Sequence, residues 1–221
     1  MTRFDGRRTD SRSVTTREAI LTAAEQLFAE RGIQLVSNRQ ISEAAGQGNN
    51  AAVGYHFGSR EELLRQIIRR HNGPIEELRG AAIDALGDSD NLRGWLDCIV
   101  RPTPAHLEQL GAPTWYARFL AQAMTDPTIR DLLAAELSDA PALRTASVNL
   151  SRCLPELPTD VMAERSEITR NLILQVCADR ERALATASPT PRHSWHAAAT
   201  GLVDALVGLW TAPVTDDGHQ S

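Results

Sequence analysis

The chain has 221 residues, 42% of them hydrophobic and 23% charged, with a formal net charge of −5. That length suits one domain, or a small domain joined to a larger one, and the apolar content is enough for a sizeable core, which excludes wholesale disorder. The acidic balance excludes a wholly basic nucleic-acid coat but leaves room for a local basic patch.

Residues 1–13 are polar and Arg-rich and read as a flexible arm, whose Arg7, Arg8 and Arg12 suit either plain solvation or a DNA backbone. Thr15 and Glu18 then stand at capping-box spacing, where each side chain can satisfy an amide of the other residue. Ile20, Leu21, Ala24, Leu27 and Phe28 form one apolar stripe at helical spacing, and Gly32 is the expected left-handed stop. Ser37 and Gln40 repeat the start signal, Ile41, Ala44 and Ala45 supply a short apolar face, and Gly46 closes it. A short helix is expected from Asn49 or Asn50 to about His56. Ser59 and Glu62 open a longer helix with the stripe Leu63, Leu64, Ile67 and Ile68. Two short helices around a Gly-containing turn make a helix-turn-helix.

Asn72-Gly73-Pro74 predicts a break or kink. Short helices punctuated by prolines are expected at about 75–86, 91–101, 105–110, 113–124, 127–137 and 141–153. Two longer helices follow at about 159–187 and 193–210. The first carries Ile168, Leu172, Ile173, Val176 and Cys177, and Asp179 to Arg182 reads as a solvated face. The second carries Trp195, Ala199, Leu202, Leu206 and Leu209 on one stripe, with small residues Ala197, Gly201, Ala205 and Gly208 beside it, suited to intrachain packing or a dimer seam. Residues 216–221 look frayed. Ala and Leu dominate and aromatics are only 5%, so the fold class is all-α.

Charge separates along the chain. Residues 1–72 hold eleven Arg against eight acids, and the remainder is acidic. All 23 basic residues are Arg, which suits bidentate contacts to phosphate and guanine. In a helix-turn-helix the second helix enters the major groove with its N-terminal residues at the base edges. Gln47, Asn49 and Asn50 stand there, and Asn or Gln pairs bidentately with adenine; helix capping is the alternative for both asparagines. Ala51, Ala52 and Val53 are small enough for close approach to a thymine methyl. Arg39 can reach a phosphate or a guanine, or simply be solvated. Ser59 with Arg60 makes a helix start suited to a phosphate.

The stretch from Arg17 to Leu64 resembles the DNA-binding domain of the TetR family of transcriptional regulators. The matching pieces are Ala19-Ile20-Leu21-Thr22-Ala23-Ala24, Leu27-Phe28-Ala29-Glu30-Arg31-Gly32, Ile41-Ser42-Glu43-Ala44-Ala45-Gly46, Tyr55-His56-Phe57-Gly58-Ser59 and Arg60-Glu61-Glu62-Leu63. From Ala45-Gly46 to Phe57 the chain is one residue longer than the common family pattern, Gly54 replaces a helix former, and Arg60 stands where Lys is usual. The resemblance implies a DNA-binding domain over residues 14–58 and an effector-binding and dimerisation domain over 59–221. It implies DNA contacts by Ser37, Arg39, Gln47, Asn49, Asn50, Tyr55, His56, Ser59 and Arg60, with Tyr55 and His56 on the backbone. It implies an effector pocket in the middle segment, where Trp95, Trp115, Tyr116 and Phe119 are the candidates beside plain core packing. A homodimer through the last two helices, a double-stranded operator and a small-molecule effector of unknown identity complete the expectation: a ligand-responsive repressor.

Enzymatic signatures are missing: there is no GxSxG, no Gly-rich phosphate loop and no HExxH. His193 and His196 have metal-ligand spacing without an evident third ligand, so neither metal nor cofactor is expected. Cys98, Cys153 and Cys177 have no paired spacing and read as reduced core thiols. No apolar signal segment opens the chain, and residues 197–210 are shorter than the roughly 20 residues of a membrane span, so a cytoplasmic protein without membrane contact is expected. The alternative is a helical small-molecule-binding or interaction protein without sequence-specific DNA binding.

Overall fold

The computed structural model describes residues 6–138 and 140–215. Among the described residues every regular element is helical, and no helix is long and apolar enough to cross a membrane. In chain order the helices are α1 (Gly6–Arg31), α2 (Asn38–Ala44), α3 (Ala52–Phe57), α4 (Arg60–Leu86), α5 (Leu92–Val100), α6 (Pro102–Leu110), α7 (Tyr116–Ala123), α8 (Pro127–Ser138), α9 (Pro141–Arg152), α10 (Thr159–Ala185) and α11 (Trp195–Thr211). A single 3-10 turn, Ile33–Leu35, joins α1 to α2.

Three sequence expectations change. The arm predicted over residues 1–13 is helical from Gly6, so Thr15 lies inside α1 rather than at its start. Nothing between Arg7 and Val14 breaks a helix, and extending a formed helix is far easier than nucleating one. Residues 1–5, the side chains of Arg7, Arg8 and Arg12, and residues 216–221 lie outside what is described. The break predicted at Asn72-Gly73-Pro74 does not occur: α4 continues through Pro74. Pro74 forfeits one backbone bond, but the preceding Gly73 has no Cβ to clash with the proline ring, which removes part of the usual obstruction. Finally, Arg180 and Glu181 are buried rather than solvated.

The chain divides into two compact units, residues 1–73 with 113–139 and residues 74–112 with 140–221. In the first, the predicted stripes of α1 and α4 are all buried, together with Ile41, Val53, Phe57 and Phe119. Each Leu, Ile, Val or Phe among them contributes about 1.5–3 kcal/mol of transfer free energy. Phe28 stacks with Phe119, and Phe119 with Tyr116, each at 6.2 Å between ring centroids. Tyr116 in turn lies 3.9 Å from His71, whose Nε2 is 2.9 Å from a carboxylate oxygen of Glu25. Arg69 pairs with Glu136 at 2.7 Å, and Gln34 donates to Asp126 at 2.6 Å. The segment 113–139 thus belongs with the N-terminal helices, and the boundary expected at residue 58 falls at 73 in this division.

In the second unit, α5 is capped by the side chain of Asn91 and α11 by that of Ser194. The apolar stripe of α11 is buried through Trp195, Ala199, Leu202, Val203, Leu206 and Trp210. Arg165 of α10 donates to the carbonyls of Trp210 at 3.0 Å and Ala212 at 2.7 Å, satisfying orphan carbonyls at the end of α11. Trp210 Nε1 donates to Thr169 Oγ1 at 3.0 Å. Arg180 donates to the Arg192 carbonyl at 2.6 Å, with its guanidinium 5.1 Å from the Trp195 ring centre. Cys98 and Cys177 are buried free thiols and Cys153 is half-buried.

Candidate nucleic-acid interface

The helix-turn-helix is built from short-range signals. At the start of α2, Ser37 Oγ accepts from the Gln40 amide at 3.3 Å, and Gln40 Oε1 accepts from the Ser37 amide at 2.8 Å. Both halves of this capping box are present. After α2 the chain turns at Gly46, where φ is +68°, a left-handed conformation that favours glycine. Gln47 folds back on the turn, its side-chain amide donating to the Ala45 carbonyl at 3.0 Å. Asn49 Oδ1 accepts from the Ala51 amide at 2.9 Å, an Asx turn that leads into α3.

The recognition helix therefore starts at Ala52, two or three residues later than predicted. The segment between α2 and α3 runs over residues 45–51, and α3 is six residues long. Its inner side buries Ala52, Val53 and Phe57, so two of the three small residues expected at a thymine methyl are core; Ala51 remains exposed. Asn50 is exposed and its side chain makes no hydrogen bond among the described residues. Gly54 and Tyr55 also face outward, Tyr55 at 84% exposure. The half-buried His56 ring meets Tyr55 edge-on at 5.0 Å.

The other expected contacts divide. Arg39 is exposed, with Nε 2.8 Å from Glu43. Ser59 Oγ accepts from the Glu62 amide at 3.0 Å, opening α4. Glu62 does not complete this box: its carboxylate takes the Gln66 side chain at 2.6 Å and pairs with Arg65 at 3.4 Å, and the hydrogen bond from Gln66 leads in holding its pKa below the ordinary value. Arg60 turns inward. It donates to the Ile33 carbonyl and, at 3.5 Å, to Asn38 Oδ1, with its guanidinium 4.9 Å from the Phe28 ring centre. Burial lowers its pKa from the usual guanidinium value. Arg17 was not singled out from the sequence. Its guanidinium lies 4.9 Å from the ring centre of Phe57.

The four residues expected to line an effector pocket are divided between the two units. Tyr116 and Phe119 are in the ring stack of the first unit, with Trp115 half-buried beside them. Trp95 belongs to the second unit, buried, with Nε1 donating to the Ser89 carbonyl at 2.8 Å. Aromatic spacing along the chain carries no information about which unit a ring enters. The second unit does contain a cavity of about 420 Å³, lined by Leu78, Ala82, Leu86, Asp97, Cys98 and Arg101 among others, and by none of the four. Its walls are mainly apolar, with the Asp97–Arg101 pair, 2.5 Å apart, as the charged feature. The alternation of Leu78, Ala82, Ala85 and Leu86 along one side of α4 was the available signal. Among the described residues no cluster of three metal-ligating side chains occurs.

Comparison with known proteins gives a consistent result. Residues 20–67 match the profile described as bacterial regulatory proteins, tetR family, and residues 97–208 that of the tetracyclin repressor-like C-terminal domain. The chain is 40% identical over 72 residues to the HTH-type transcriptional repressor BepR of Brucella suis, covering 33% of this chain and 34% of that protein. It is 31% identical to the HTH-type transcriptional repressor AcnR of Corynebacterium efficiens, covering 34% of this chain and 45% of that protein. The aligned part thus spans between a third and a half of these relatives. Similar folds occur in TetR-family transcription regulators from Shewanella sp. PV-4 (TM-score 0.59, 18% identity, 86% of this chain and 97% of that one) and Marinobacter aquaeolei VT8 (0.57, 18%, 91% and 96%). With the C-terminal profile alone matching half of the sequence and the N-terminal one matching the capped helix-turn-helix, the chain belongs to the TetR family.

Proposed function

We propose that this chain is a DNA-binding transcriptional regulator, acting as a ligand-responsive repressor on a pseudo-palindromic operator. The observation that carries this reading is the outer side of α3. The helix, anchored by buried Ala52, Val53 and Phe57, presents Gly54 and Tyr55 outward, and the turn leading into it exposes Asn50 and Ala51. Asn50 offers a bidentate amide for adenine, Ala51 a methyl-sized contact, and Tyr55 a hydroxyl for the backbone. Asn49, Gln47 and Ser59 support that surface by shaping the turn and the start of α4. Arg39 adds an exposed charge, paired with Glu43.

The operator symmetry requires two copies. A homodimer through α10 and α11 would set the two recognition helices about one DNA turn apart, roughly 34–36 Å. Leu172 and Leu184 of α10 are exposed in the single chain at 38% and 42%, which supports that helix as the covered surface. The effector site is the 420 Å³ cavity of the second unit, whose walls suit an apolar small molecule. Such a ligand shifts DNA affinity only if it binds the two states of the protein unequally. The site of action is the cytoplasm, where the operator is.

The test is a gel-shift titration of the purified chain against DNA flanking its own gene, at two salt concentrations, with unrelated DNA as competitor. Tight, competitor-resistant binding that weakens with salt supports the regulator. Equal weak binding to both DNAs refutes sequence-specific action at that site.

A further inference from the structure

The cavity of the second unit owes its space to short side chains. Ala82 and Ala85 of α4, Gly94 of α5 and Ala105 of α6 line it, at positions where a larger apolar residue would fill it. At 1.5 Å per residue, Leu78 to Leu86 spans about 12 Å along α4 and Gly94 to Arg101 about 10 Å along α5. The lining therefore forms a slot about two helical turns long.

The two ends of the slot differ. Beside residues 87–91, which join α4 to α5, Leu86 lies on Gly94. A Cβ at residue 94 would stand 2.7 Å from Leu86 Cδ1 and 3.2 Å from Cδ2. Carbon atoms pack at about 3.5–4.0 Å, so the Leu86 methyls lie there only because residue 94 has no side chain. Gly94 is inside α5 and is not in the left-handed region. Glycine is a poor residue within a helix, and this contact is the packing reason for it. Towards the other end, Arg101 has Nε 2.5 Å from Asp97 and both terminal nitrogens 3.3 Å from Thr200 Oγ1. Asp97 and Arg101 are the charged residues of the lining, and they neutralise each other. A ligand with a net charge would exchange hydration for apolar walls and gain no free counter-charge, which is costly. The volume of about 420 Å³ is in the range of small-molecule sites.

We propose that this cavity takes an uncharged, elongated, mainly apolar molecule, and that Gly94 sets how far its apolar tail reaches. This rests on the cavity being the effector site in the reading above. Leu86 packed on Gly94 leaves the end of the slot open. A side chain at residue 94 pushes the Leu86 methyls off that surface and into the slot.

Simple amphiphiles of matched length test this. The full chain, Gly94→Ala, Ala82→Leu and the double variant Gly94→Ala with Leu86→Ala are titrated by calorimetry with hexan-1-ol and decan-1-ol. Decanoate and decyltrimethylammonium at pH 7 are the charged counterparts, all below their micelle concentrations, with thermal unfolding of each variant in parallel. Burying one methylene changes affinity about fourfold. Wild type is expected to bind decanol at least about tenfold more tightly than either charged counterpart. Gly94→Ala weakens decanol about fifteenfold, the equivalent of two methylenes, and hexanol less than about fourfold. Truncating Leu86 in that background recovers decanol binding, and Ala82→Leu, which fills the middle of the slot, weakens both alcohols. A charged counterpart bound as tightly as decanol overturns the proposal, as does a folded Gly94→Ala that loses both alcohols equally or neither. No recovery in the double variant, or no binding of either alcohol to wild type, overturns it as well. A gel shift repeated with decanol separates the two readings: decanol bound as expected with DNA affinity unchanged refutes the effector role alone, and the titrations then still support the ligand class.

Discussion

Replacing Glu76 of α4 should destabilise the second unit far more than a surface substitution would. Its carboxylate is mostly buried, pairs with the more deeply buried Arg79, and accepts from the amides of Ala142 at 2.8 Å and Leu143 at 3.4 Å. Those amides open α9, whose own N-cap, Ala140, offers no side-chain acceptor. One carboxylate thus neutralises a buried guanidinium and caps a helix distant in sequence. Glu76→Ala leaves Arg79 charged and unpaired, at about 3–5 kcal/mol for breaking a buried pair. Losing the cap adds about 1 kcal/mol. For a chain of this size each kcal/mol moves Tm by roughly 2–4 °C, so a fall of roughly 8–24 °C is expected. Glu76→Gln retains an acceptor for the amides and falls between Glu76→Ala and wild type. The double variant Glu76→Leu with Arg79→Met removes both charges and recovers most of the pair's loss, because a buried ion pair and an apolar pair of similar volume are often close in stability. Urea and thermal unfolding of the four proteins measure these differences. A loss below about 1 kcal/mol for Glu76→Ala, or a double variant as unstable as that single one, would refute the reasoning.

Three further outcomes are expected. Burial pushes the Cys177 thiol up to about 12 from an ordinary value near 9, so between those values the unfolded chain binds fewer protons and stability falls as pH rises; the alkaline decline measured by unfolding should be shallower in Cys177→Ala. The hydrogen bond from Gln34 leads in holding the Asp126 pKa below its usual value, helped by the Ile129 and Thr128 amides; an NMR titration of Gln34→Ala should show it rise, and an unmoved carboxyl would exclude that bond in solution. Asn50→Ala should lose about 1–3 kcal/mol of discrimination at one base pair, whereas Asn49→Ala, which removes the Asx-turn acceptor, should weaken binding to all sequences alike; an unchanged base preference in Asn50→Ala removes it from direct readout.

Much of the architecture was legible residue by residue. The stripes of α1 and α4, the Ser37–Gln40 box, the Gly46 turn and the starts of α8 to α10 depend on neighbours within four positions, where periodicity and capping chemistry act. The continuity of α4 through Pro74 was not legible, because a proline signals a lost bond and a clash but not the packing that holds the helix on both sides. Which aromatic rings share a core was equally hidden, and Trp95 and Tyr116 are in different units despite their proximity in sequence.

The arginines mark the division most sharply. Sequence alone determined that a basic, capped helix-turn-helix opens an all-α chain, since those signals are local. Tertiary structure decided what each guanidinium does. Arg60 is drawn inward by a carbonyl 27 residues away, Arg17 is 4.9 Å from the centre of a ring forty positions further along the chain, and Arg180 is buried in a stretch that reads as a solvated face. A flexible side chain with five donors takes whichever acceptors the fold brings within reach, and that choice is made by long-range packing rather than by the residue's own neighbours.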